Sequence, residues 1–185
     1  MEMETPEIMK CLEAVANRLE WNGPAIEILL IGGAAGMLIG QLPGHRVTQD
    51  CDVMHVQPPQ AQQTVLAAAA DIASEKNLPQ TWLNTQAMSL NVLPDGWQSR
   101  RVLVGHFQKL SVYAVGRRDL LAMKFYANRP QDRQDIIEMH PSREEIDFIR
   151  KYLNMLRVPS RQADLDQIVS ALKLVEVMEN LFYGS

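Results

Sequence analysis

The chain has 185 residues, 46% of them apolar, 22% charged and 6% aromatic, a length that suits one compact domain, or a domain with a helical extension. Eighteen Lys and Arg against 22 Asp and Glu leave a net charge of −4, which excludes a broad nucleic-acid-coating surface while leaving room for a local basic patch. No apolar run reaches the roughly 18 residues of a membrane span, and the acidic start MEMETPEIMK is unlike a secretory leader.

Residues 6–20 predict a first helix, because Ile8, Leu12, Val15 and Leu19 recur on one face and Asn22-Gly23-Pro24 supplies a stop. Residues 26–31 are almost wholly apolar, the pattern of a buried strand, and Gly32-Gly33 interrupts them. A short helix is expected over 34–41, a loop over 42–49, and a second strand over 51–56, closed by Pro58-Pro59. Residues 60–75 read as a helix with Val65, Ala69 and Ile72 on one side, whereas 82–90 fit neither period. After the turn at Pro94-Asp95-Gly96, strands are expected over 101–104 and 110–115, with 105–109 as the connection. Helices over 119–128, 143–156 and 163–181 complete the chain. This order predicts an α/β (α+β) fold, with 1–140 as one domain and 141–185 as a helical extension packed on it. Cys11 and Cys51 form no disulfide framework or zinc spacing and predict a reducing, cytoplasmic setting.

The most informative stretch is Gly32-Gly33 followed by Asp50-Cys51-Asp52. Residues i and i+2 of a strand share a side, so Asp50 and Asp52 can converge on one cation while Cys51 and Val53 face the core. Two carboxylates without His or Cys companions are hard ligands that suit Mg²⁺, which keeps waters and takes phosphate oxygens. The glycines allow a sharp turn and a close backbone approach to a ligand, and a helix starting after them would offer N–H groups to a polyphosphate. The blander reading is a tight turn and a solvated strand edge. A dinucleotide fingerprint does not fit, because G-G-A-A-G lacks the required glycine spacing; a P-loop is excluded by the absence of Gly-Lys-Ser/Thr.

A second constellation begins at Lys124, which shares a helix face with Leu120 and Ala127. It is either a snorkelling lysine or a cation aimed at phosphate or at carboxylates. Asp132 and Asp135, three apart on a helix that starts near Pro130, can pair with Arg129, with Lys124 or with a metal. The four histidines, His45, His55, His106 and His140, show no metal-ligand spacing, and His55, three residues past Asp52, is expected to point away from it.

Gly32-Gly33, then Thr48-x-Asp50-x-Asp52, then Lys124-x-x-Ala127-x-Arg129-x-x-Asp132-x-x-Asp135 resembles the minimal nucleotidyltransferases, in particular bacterial members of the DUF6036 type related to the abortive-infection AbiEii toxins. Trp82-Leu83-Asn84 and the run 120–124 are similar too, and the resemblance covers roughly residues 25–140. It implies a small mixed sheet flanked by helices and the transfer of a nucleoside monophosphate from a nucleoside triphosphate to a hydroxyl. By match, Asp50 and Asp52 would ligate Mg²⁺, and Gly32, Gly33 and Thr48 would hold the nucleotide. Lys124 would steady the triphosphate, with Arg129, Asp132 and Asp135 completing the site. Active relatives carry a third carboxylate on the following strand, yet residues 96–118 contain no Asp or Glu. The resemblance leaves two functions open: an enzyme acting on RNA, protein or a small molecule, or a catalytically impaired nucleotide-binding or toxin–antitoxin regulatory module. The sequence does not choose between a monomer and a homo-oligomer.

Overall fold

A computed structural model describes residues 2–157 and 164–184. Two compact units emerge, the first comprising the chain up to Met88 together with Arg101–Val115, the second Ser89–Arg100 and the chain from Gly116 on.

In the first unit, helix α1 (Thr5–Arg18) begins with a capping box, in which Glu4 and Glu7 answer each other's backbone N–H, and it buries Ile8, Cys11, Leu12, Val15 and Ala16. Strand β1 (Ile26–Ile31) leads directly into the short helix α2 (Gly32–Leu38), two residues earlier than the glycines suggest. Strand β2 (Cys51–Gln57), a 3₁₀ turn over Pro59–Ala61 and helix α3 (Gln62–Lys76) follow. The ambiguous stretch after α3 resolves into a two-residue strand, β3 (Leu83–Asn84), and a 3₁₀ turn over Gln86–Leu90. Strands β4 (Val102–Phe107) and β5 (Leu110–Ala114) form a hairpin.

The mixed sheet runs in the order β3-β2-β1-β5-β4, with β1 antiparallel to β2 and parallel to β5. One face carries Ile26, Ile28, Leu30, Val53, Val56, Leu110, Val112 and Ala114, all at most 2% exposed. With the apolar stripes of α1 and α3 they form this unit's core, each large side chain adding about 1.5–3 kcal/mol. The expected connection over 105–109 is instead mostly strand. A bulge after Leu103 restarts the register at Gly105, and the Phe107 ring lies where a Cβ of Gly105 would stand.

The second unit is helical: α4 (Trp97–Arg100), α5 (Arg117–Ala127), α6 (Pro130–Met139), α7 (Arg143–Met155) and α8 (Leu165–Tyr183). The helix expected over 163–181 begins at Leu165, capped by the Asp164 carboxylate; its expected first residue, 163, lies outside the described residues. Helix α5 packs against α6, α7 and α8. Its N-terminus is tied to α7 by Arg117, whose guanidinium donates to Glu145 at 2.8 Å and to the Met139 carbonyl at 2.7 Å. Arg100 similarly grips the fully buried Asp119 at 2.7 Å. Among the described residues, no helix is long and apolar enough to cross a membrane.

Candidate nucleotide and metal site

At the end of β1 the chain bends at Gly32, whose φ of +71° lies in the left-handed region. A Cβ built there would stand 3.2 Å from Asp52 Oδ2. Glycine therefore serves twice, by adopting the backbone angle and by admitting the carboxylate against the turn. The juxtaposition is set by the ladder, in which Ile31 is opposite Asp52. On β2, Cys51 and Val53 are buried at 0% and 1%, as the alternation requires, while Asp52 is half-buried and Asp50, just before the strand, is exposed. Burial, reinforced by the Asp50 and Asp52 charges, pushes the Cys51 thiol far up, so it stays protonated. Cys51 and Cys11 are both free.

The loop before β2 is pinned by an isolated bridge in which Met3 and Thr48 exchange backbone hydrogen bonds at 2.7 and 3.1 Å. Thr48 in turn donates its hydroxyl to the Asp50 carbonyl at 3.1 Å and stands 3.4 Å from Asp50 Oδ1. On the other side of the turn, a Cβ at Gly33 would meet Thr48 Oγ1 at 3.7 Å and Arg46 Nη2 at 3.8 Å. Gly32, Gly33, Thr48, Asp50 and Asp52 thus gather at one corner of the first unit, and Arg46 joins them. The sequence signal for Arg46 is its place four residues before Asp50, inside the loop that the two strands must close.

On the side away from β1, the neighbour of β2 is not one of the later strands but β3, where Asn84 is opposite Asp52. This corrects the search for a third carboxylate in residues 96–118: the adjacent strand presents an amide. Asn84 is anchored through Trp82, which is fully buried and donates its indole N–H to the Ala69 carbonyl at 2.9 Å. The Trp82 carbonyl then accepts the Cys51 N–H at 2.5 Å. Asn84 Nδ2 donates to Asp52 Oδ1 at 3.0 Å, while its Oδ1 accepts the Gln86 N–H at 3.2 Å.

His55 also departs from expectation. The β1–β2 register jumps from Leu30↔Val53 to Leu29↔His55, leaving Met54 as the bulged residue. Leu29 and Ile31 share a face of β1, so their partners His55 and Asp52 share a face of β2. On that face Arg101 reaches Glu27 at 2.6 Å and lies 3.8 Å from the Tyr113 ring centroid. Burial and the Arg101 charge lower the His55 pKa, against a smaller opposing pull from Glu27, so its imidazole stays neutral around pH 7.

The remaining predicted residues gather in the second unit. Lys124 is 3% exposed, and its ammonium reaches Asp135 Oδ2 at 2.5 Å and Asp132 Oδ1 at 3.3 Å. Arg129, itself well exposed, closes on Asp132 at 2.7 Å, and Gln131 donates to Asp135 at 3.0 Å. Of the alternatives open from sequence, Asp132 and Asp135 take the lysine and the arginine, locking α5 to α6.

Near the glycine turn, Asp52 and Asp50 offer hard carboxylate oxygens, the donor type that would suit a divalent cation such as Mg²⁺. Among the described residues, no group of three or more His, Cys, Asp or Glu side chains gathers as a metal cluster, so such a cation would complete its shell with water and phosphate oxygens. No curated protein and no solved structure matches the chain. A family model described as a nucleotidyltransferase of unknown function, DUF6036, matches residues 7–178. Its match spans both the glycine–aspartate corner and the Lys124 network, and the chain belongs to that nucleotidyltransferase family.

Proposed function

We propose that the protein binds a nucleoside triphosphate with Mg²⁺ at the Gly32–Asp52 corner and transfers the nucleoside monophosphate to a hydroxyl acceptor. The observation that carries this reading is the approach of Asp52 Oδ2 to the space a Gly32 Cβ would fill, which sets a carboxylate against a backbone bend open to phosphate. Asp50 and Asp52 would hold Mg²⁺, which when bound offsets the charge that develops on the transferring phosphate. Gly32 and Gly33 would admit the phosphates to the backbone, with the Thr48 hydroxyl and the Arg46 guanidinium at the rim. In the reaction the acceptor oxygen attacks the α-phosphorus and forms a new P–O bond. The bond to the bridging oxygen breaks, its electron pair leaves with pyrophosphate, and the hydroxyl proton passes to water. The rate gain comes from positioning and charge stabilisation.

One observation favours a second reading, that of a nucleotide-binding regulatory module: the strand beside Asp52 carries an amide where an additional acid would assist the acceptor. α-Labelled nucleoside triphosphates offered to a cell extract separate the two readings. Label entering RNA, protein or a small-molecule pool, and lost in Asp50→Ala/Asp52→Ala, identifies an enzyme and its acceptor class. Mg²⁺-dependent stabilisation by nucleotide without incorporation identifies the module. Neither response removes both.

A further inference from the structure

The geometry points to Asn84 as a positioning residue that limits the site to a single divalent cation; this rests on the nucleotide-binding reading above. The amide cannot be flipped without loss, because its Oδ1 accepts the Gln86 N–H at 3.2 Å and its Nδ2 donates to Asp52 at 3.0 Å, with the Thr81 carbonyl at 3.4 Å as a second acceptor. It therefore presents a donor, not an oxygen, to Asp52. That donor engages Asp52 Oδ1, while Asp52 Oδ2 faces Gly32.

A second cation beside Asp52 Oδ1 would meet the positive end of the Asn84 N–H dipole instead of an acid. The parallel pairing of β3 with β2 holds Asn84 in register opposite Asp52, and the buried Trp82 fixes β3 on α3. The donor is thus held by the fold and is not a mobile surface group. A single cation would accompany the triphosphate, and no second one would sit at the acceptor side.

Mn²⁺ titration followed by electron paramagnetic resonance, with a non-hydrolysable nucleoside triphosphate present in excess, counts the protein-dependent cations directly. We expect one per wild-type chain and two per Asn84→Asp chain, where a carboxylate replaces the donor. Two in the wild type, or one in a folded Asn84→Asp variant, overturns the proposal and leaves the nucleotide-binding reading standing. If Asn84→Asp does not fold, the wild-type count alone decides. No wild-type signal beyond that of Asp50→Ala/Asp52→Ala overturns the nucleotide-binding reading, and this proposal with it.

Discussion

The two charged clusters both draw on aspartates and a basic side chain, yet they lie in opposite surroundings. Around Lys124 the side chains sit on consecutive helices, Lys124, Asp132 and Asp135 are at most 3% exposed, and the lysine is flanked by two carboxylates. Around Asp52 the residues come from a bend, a loop and two strand ends. Asp50 is exposed there, and Asp52 Oδ2 stands 3.2 Å from where a Gly32 Cβ would be. Ions sealed from water need partners in place, and the first arrangement supplies them, a lysine matched with two carboxylates. At the glycine bend Asp52 is only half-buried and Asp50 is exposed, so both carboxylates stay in reach of solvent. Motif spacing alone does not separate these two environments; burial does.

The strongest way to break the comparison is Asp50→Ala with Asp52→Ala. It should abolish any Mg²⁺-nucleotide-dependent rise in Tm while leaving the urea midpoint nearly unchanged, since neither residue is part of the buried core. A large loss of stability would place these acids in the same class as the Lys124 network. Lys124→Met should do the reverse, taking the ammonium away from two buried carboxylates, of which Asp132 keeps Arg129 and Asp135 keeps Gln131, at a cost of about 3–5 kcal/mol in urea unfolding. If that variant, held below its own midpoint, also lost the nucleotide response, the division of labour would collapse.

Two smaller effects sharpen the contrast. For Glu145, burial pulls its pKa up, but the hydrogen bond from Arg117, the Ser142 N–H and the nearby arginine charges outweigh it, and the net shift is downward. A depressed folded-state value means that its stabilisation is present above the usual carboxylate range and lost as pH falls through the folded value. Glu145→Gln should therefore remove about 2 kcal/mol at neutral pH and flatten the acid limb of a stability–pH curve. Gly32→Ala should cost roughly 1–2 kcal/mol for the left-handed backbone. Its Cβ, 3.2 Å from Asp52 Oδ2, should weaken nucleotide-dependent stabilisation far more than that, as read by calorimetric titration. Equal loss in both measurements would make Gly32 a mere turn residue.

Much of this was legible in the chain. The span of β1 and the helices around 60–75 and 143–156 follow from apolar period. The placing of Cys51 and Val53 in the core follows from strand alternation. The pairing of Lys124 with Asp132 and Asp135 was one of the alternatives that helix spacing allowed. Three features were not legible. A two-residue strand, β3, is too short to show a period, so Asn84 was not recognised as the neighbour of Asp52. The bulge at Met54 brings His55 round to Asp52's face, because one extra residue inverts every later side chain. The hairpin of β4 and β5 extends through Gly105, which a local reading takes for a loop.

The sequence by itself determined the kinds of chemistry available: two carboxylates one residue apart, glycines free to turn, and a lysine with acids at helical spacing. Those facts are local, carried by neighbours within a few positions. Only the tertiary structure decided which groups meet, because pairing register, bulges and burial depend on segments far apart in the chain. Ile31 opposite Asp52 and Asn84 opposite Asp52 are pairings of β1 with β2 and of β2 with β3, and hydrogen-bonded ladders between such distant segments leave no periodic trace in either one.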